Sequence, residues 1–196
     1  MQPFARLRFA ATRPVTEDQA PAFLDRAPFR THVDYDYPDI DVDTLWEAIS
    51  SDRMWSWLPT VWGCRYPAGD TIGPGTVRDF QMYLHHWMIY AQREEILIWE
   101  PGRRLVYTAV DATLPFFGTW CEQYAVHPRP GGGSRLSWTM GVQPRFIGAL
   151  PLRWLSPIMR AVFRFGLRGV RREIGEGLGG APETLIGRPY QTELHK

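Results

Sequence analysis

The chain contains a single lysine, Lys196, and two cysteines, Cys64 and Cys121. Two thiols are too few for the disulfide framework of a small secreted domain, and the strands expected to carry them are well separated, so no bridge between them is expected. No segment approaches the roughly 18 consecutive apolar residues that span a bilayer. The Arg-punctuated start, Met1 to Arg13, lacks the apolar core of a signal peptide. Together these absences point to a cytoplasmic protein. Net charge is nearly absent as well: 22 basic residues against 21 acidic ones leave +1, without the basic excess of a nucleic-acid binder. Nucleic acid is therefore not an expected partner. No G-x-S-x-G, H-E-x-x-H, Walker or G-x-G-x-x-G sequence occurs, which removes the commonest nucleophile, zinc and nucleotide signatures. His85-His86 falls at a strand turn, where neighbouring side chains point to opposite faces and cannot easily share a metal. Neither a metal nor a cofactor is implied.

Aromatic residues are in excess, with nine Trp, eight Tyr and ten Phe among 196 residues. That length suits one domain, which buries roughly 70% of the surface its unfolded chain exposes and needs no metal or disulfide to hold a core. The aromatic side chains must line either that core or a cavity within it.

Residues 1–28 carry Pro3, Pro14, Pro21 and Pro28 with no sustained period and read as an irregular N-terminal arm, lying on the surface or partly disordered. From Thr31 to Tyr37 the pattern alternates, with Val33, Tyr35 and Tyr37 on one face and His32, Asp34 and Asp36 on the other, the mark of a half-buried strand. Asp41 or Asp43 can cap a short helix in which Leu45, Trp46 and Ile49 recur at helical spacing, and a second helical turn is expected over Met54 to Leu58. Turn signals then separate six further strands over 61–66, 76–84, 87–99, 104–110, 118–127 and 134–143, with Gly131-Gly132-Gly133 in a hairpin turn. Ser156-Pro157 opens a long helix to about Ile174, and residues 175–196 read as a flexible C-terminal tail.

One strand, two short helices, six strands and a long helix make an α+β arrangement. That order, with the segments Asp43 to Ser50, Trp55-Ser56-Trp57-Leu58-Pro59, Glu100 to Tyr107 and Gly133 to Thr139, resembles the START-like helix-grip superfamily (SRPBCC). Within it, the chain is most similar to the polyketide cyclase/dehydrase and lipid-transport group. The resemblance covers residues 29–174. It implies a seven-stranded antiparallel sheet wrapped around the C-terminal helix, with an apolar ligand held between the two.

Charge in an apolar phase is the most specific signal. Arg78 shares a register with Phe80, Met82 and Leu84, and Glu122 shares one with Trp120, Tyr124 and Val126. A lone charge on an apolar face costs several kcal/mol, so each must find water, a countercharge or a polar ligand group. The bland alternative places each near a strand end, reaching outward. The functional alternative is an apolar cavity with a few convergent polar groups. Its expected lining is Tyr35, Tyr37, Arg78, Phe80, Met82, Tyr107, Trp120, Glu122, Tyr124, Trp138 and Met140 from the sheet, with Met159, Val162 and Phe163 from the helix. Arg78 and Glu122 are the candidate catalytic groups.

The expected partner is a hydrophobic small molecule such as a polyketide, lipid, isoprenoid or aromatic metabolite. A cyclase/dehydrase-type enzyme is the alternative, with Arg78, Glu122 or a tyrosine doing acid/base work on a folded chain. A third option is a lipid carrier at an anionic membrane, suggested by Arg160, Arg164, Arg168, Arg171 and Arg172 on one arc of the long helix. In this topology the sheet already occupies that helix's apolar face and leaves only the Arg arc for solvent, so membrane contact is not favoured.

Overall fold

The computed structural model describes residues 8–67, 71–84, 87–114, 117–145 and 156–175. His85-His86 and the tail from residue 176 lie outside the described residues. The alternation from Thr31 onward forms β2, Phe29–Tyr37, preceded by β1, Ala10–Ala11, and α1, Ala20–Arg26. The helix α2, Val42–Ser50, follows; the Asp41 carboxylate accepts the Thr44 backbone N–H at 2.8 Å and caps it. Then come β3 (Val61–Arg65), β4 (Val77–Leu84), β5 (Trp87–Glu100), β6 (Arg104–Ala112), β7 (Phe117–Pro128), β8 (Ser134–Pro144) and α3 (Ser156–Gly175). Seven strands run antiparallel in the order β2-β8-β7-β6-β5-β4-β3, with β1 adding to β6. The fold is the α+β helix grip expected from the sequence, with α3 packed across β2 and the concave face.

The segment Met54 to Leu58 is a string of turns instead of a helical turn. Trp55 sits at φ 68°, a left-handed conformation that breaks helical propagation, and its ring is held between Trp57 and Trp138. The N-terminal arm also differs from expectation. Ala20 and Leu24 of α1 pack with Leu97, Val106 and Cys121 in a second core on the convex side. That face carries apolar residues of β5, β6 and β7, so water would meet them without the arm.

The α3 contact face is set by small residues. A Cβ on Gly166 would stand 2.6 Å from the Trp55 ring, and one on Gly169 would stand 2.1 Å from Trp57. The Trp57 indole N–H donates to the Gly166 carbonyl at 2.9 Å, and the Tyr37 hydroxyl donates to the Leu167 carbonyl at 2.7 Å. This docking buries Phe163, Leu167 and Val170 and leaves Ile158, Val162 and Phe165 exposed. The expectation that the sheet covers the whole apolar side of the helix is therefore corrected: apolar residues occupy more than one arc, and only the arc beside the glycines meets the sheet.

Candidate functional site on the concave face

Cross-strand register builds the site row by row. Thr31 pairs with Met140, Met140 with Glu122, Glu122 with Tyr107, and Tyr107 with Ile96, so one row crosses five strands. Arg78 pairs with Glu94 on the neighbouring hairpin. Directly paired residues share a face, which places both sequence-predicted charges inside. Arg78 is 1% exposed and Glu122 4%, so the outward-reaching alternative is excluded for both.

Four donors meet the Glu122 carboxylate. Oε2 accepts from the Tyr107 hydroxyl at 2.5 Å, the Trp138 indole at 2.9 Å and the Tyr124 hydroxyl at 3.0 Å, while Oε1 accepts from the Trp120 indole at 2.8 Å. Burial pushes the Glu122 pKa up, opposed by these hydrogen bonds. Arg78 Nε donates to Glu94 at 2.8 Å, its Nη1 donates to the Tyr66 hydroxyl at 2.7 Å, and its guanidinium lies 4.4 Å from the Tyr107 ring centre. Tyr107 thus touches both charged centres. Gln92 donates to the other Glu94 oxygen at 3.1 Å and accepts from Tyr90. Burial pushes Glu94 up to about 7 despite Arg78, and the nearby Glu122 charge adds to the rise. Arg78 stays charged: burial works against it, but the Glu94 carboxylate paired with it holds its proton. Burial also pushes the Cys64 thiol up to about 12, so it offers no thiolate nucleophile. Thr31 Oγ1 is buried on the same face and has no hydrogen-bond partner among the described residues.

Exposure changes along the sheet. Ile96, Leu105, Leu136 and Tyr37 are fully buried at one end, whereas Phe80, Met82, Tyr90, Phe117 and Trp120 are half-buried toward the other. The latter set lies near the end of β4, the starts of β5 and β7, and the α3 N-terminus, whose Ser156 hydroxyl donates to the Arg30 carbonyl at 3.3 Å. This end forms an apolar rim with the charged network a few residues inward.

Of the expected lining, Arg78, Tyr107, Trp120, Glu122, Tyr124 and Trp138 converge on the network, Met140 lies in its row, and Phe80 and Met82 form the rim. Tyr35 and Tyr37 pack against each other at 4.8 Å, and the Tyr37 hydroxyl is committed to α3. Phe163 stacks on Trp138 with ring centres 3.6 Å apart, so side chains fill the space where an open cavity was expected beneath it. Met159 is half-buried. Val162 is a correction: at 53% exposed it faces away from the sheet because the glycine-set rotation of α3 turns it out. Sequence reasoning missed Glu94, Gln92, Tyr90 and Tyr66. Tyr90, Gln92 and Glu94 share the phase of Ile96, a polar run that could have been noticed. In a regular hairpin with Leu84 opposite Trp87, however, Arg78 would face Arg93; the bulge between Met82 and Tyr83 brings Glu94 there instead.

A curled antiparallel sheet gripping a C-terminal helix, with a charged network on its concave face, defines a helix-grip protein. The chain belongs to the polyketide cyclase/dehydrase and lipid transport family, whose model matches residues 32–175. Uncharacterized proteins of Mycobacterium tuberculosis and Mycobacterium bovis are 28% identical over 154 residues, covering 77% of this chain and 87% of theirs. The crystal structure of the Zhui aromatase/cyclase from a Streptomyces species is similar in fold, with a TM-score of 0.51 at 15% identity over 78% of this chain and 99% of that one. A Thermus thermophilus protein gives a TM-score of 0.57 at 13% identity, over 76% of this chain and 99% of that one. Family membership supports a hydrophobic ligand-binding or cyclase role in general. No helix among the described residues is long and apolar enough to cross a membrane.

Proposed function

We propose that this protein binds a hydrophobic small molecule carrying at least one oxygen function, of the polyketide, lipid, isoprenoid or aromatic-metabolite kind. The observation that carries this is the half-buried apolar rim of Phe80, Met82, Tyr90 and Trp120 above the Arg78–Glu94 pair and Glu122. An apolar surface with a few convergent polar groups is the usual build of a small-molecule site, and the unpartnered Thr31 hydroxyl offers one more polar contact. An apolar probe such as N-phenyl-1-naphthylamine should bind the folded protein, and native mass spectrometry of freshly purified material should show a retained ligand. Met82→Trp, which fills the rim, should weaken probe binding by about tenfold, equivalent to roughly one filled methylene or two. Probe binding that is absent, or indifferent to Met82→Trp, overturns the proposal.

A second reading, a cyclase/dehydrase, is favoured by Glu94, which titrates near neutral pH within reach of a protonated guanidinium. In aldol closure a base removes the proton α to a carbonyl, the new carbon–carbon bond forms, and an acid protonates the carbonyl oxygen before water leaves. Glu94 suits the proton transfers better than Glu122, whose oxygens already hold four donors. Glu122→Gln should alter ligand affinity in either case. In an enzyme, Glu94→Gln should lower kcat on a poly-β-ketone substrate by about 100-fold or more with modest change in KM; in a carrier there is no turnover to lose.

A further inference from the structure

We propose that the outer face of α3 and the β4–β5 hairpin dock the rim of the grip onto an anionic lipid surface. Among the described residues seven large apolar side chains are exposed, and six of them fall in two groups: Ile158, Val162 and Phe165 on α3, and Leu84, Trp87 and Ile89 at the end of β4 and start of β5. Phe165 is 67% exposed, Ile158 60% and Leu84 56%. On α3 the apolar set lies beside arginines spaced one turn apart. Pro157, Arg160, Ala161, Arg164, Phe165 and Arg168 line an open cleft of about 480 Å³. Among the described residues Arg160, Arg164 and Arg168 have no acidic partner, and the one acidic residue of α3, Glu173, is buried against Arg53.

Apolar side chains beside a guanidinium row suit the headgroup boundary of an anionic bilayer: the first enter the acyl region while the second meet phosphate. A neutral apolar partner would leave the cations uncompensated, and an acidic polar one would leave Phe165 and Ile158 in water. Leu84, Trp87 and Ile89 stand at the hairpin end of β4 and β5, the end that carries Phe80, Met82 and Tyr90 of the rim, and α3 starts toward the same end, where Ser156 bonds the Arg30 carbonyl at the start of β2. The docking surface stands on side chains outside the ligand site and does not depend on any ligand being bound.

The test is flotation of the full chain with vesicles of phosphatidylglycerol and phosphatidylcholine, compared with phosphatidylcholine alone. Binding should require phosphatidylglycerol and weaken at high salt. Replacing Arg160, Arg164 and Arg168 together with Gln should weaken it on the order of a hundredfold, and Phe165→Ser by about tenfold. Circular dichroism and probe binding at the rim should stay as in the parent chain, which separates failure of this proposal from failure of the ligand-binding one. Absent vesicle binding, equal binding to both vesicle types, or an unaffected triple variant overturns the proposal. Concentration-dependent dimerisation abolished by Phe165→Ser also overturns it, assigning the face to a second copy of the chain.

Discussion

Glu122 receives four hydrogen bonds, whereas Glu94 receives two and shares its charge with Arg78. The difference shows in how stability depends on pH. The folded-state pKa of Glu94, about 7, lies above its ordinary value of 4.5, so between these values the native state keeps a proton that the unfolded chain has released. The stability linked to this group is present in full below about 4.5 and is lost as pH rises through about 7. The raised Glu122 acts in the same direction. Asp36, Asp41 and Glu100, held low by their hydrogen bonds to Arg135, Thr44 and Arg104, act oppositely and only in more acidic solution. The urea midpoint should therefore fall between about pH 5 and about pH 8, and the double variant Arg78→Met/Glu94→Gln should flatten that fall. Glu94→Gln alone leaves a buried guanidinium without its countercharge and should cost about 3–5 kcal/mol. Strand phase put Arg78 and Glu122 on apolar faces, and their burial decided for the interior over an outward reach. The partner of Arg78 could not be read the same way, because its pairing depends on an extra residue in β5, Ile89, opposite the Met82–Tyr83 step of β4.

At the scale of elements, all seven main strands and both main helices could be placed from alternation, turn residues and helical spacing. The rotation of α3 about its axis could not. A helical wheel ranks side chains by size and polarity, and it favours Ile158 and Val162 as much as Phe163. The deciding contacts are instead the absences of side chain at Gly166 and Gly169, which admit Trp55 and Trp57. Gly166→Ala is therefore a test with a sign. Helix propensity alone would stabilise by up to about 1 kcal/mol, but a Cβ 2.6 Å from a packed indole forces a shift, and overpacking of this kind costs about 1–3 kcal/mol. Net destabilisation in urea unfolding is expected, whereas Gly175→Ala, with open space around its Cβ, should be neutral or slightly stabilising.

For the whole molecule, the two ends of the described chain cover opposite faces of one sheet, α1 on the convex side and α3 on the concave side. The contribution of the arm was hidden in the sequence because a helix of seven residues is too short to show a period and proline interrupts its surroundings. Removing residues 1–28 would bare Leu97, Val106 and Cys121; the truncated protein should show a lower Tm and a tendency to aggregate, measured by scanning calorimetry and light scattering. The strand order also has a consequence in time. The first long strand, β2, finds its partner in the last, β8, and His32 meets Thr139 across 107 residues. Closure over such a separation is slow to nucleate. During synthesis β2 leaves the ribosome long before its partner exists, so the sheet is completed only when β8 emerges, and α3 arrives after that to close a grip whose polar interior has until then been open to water.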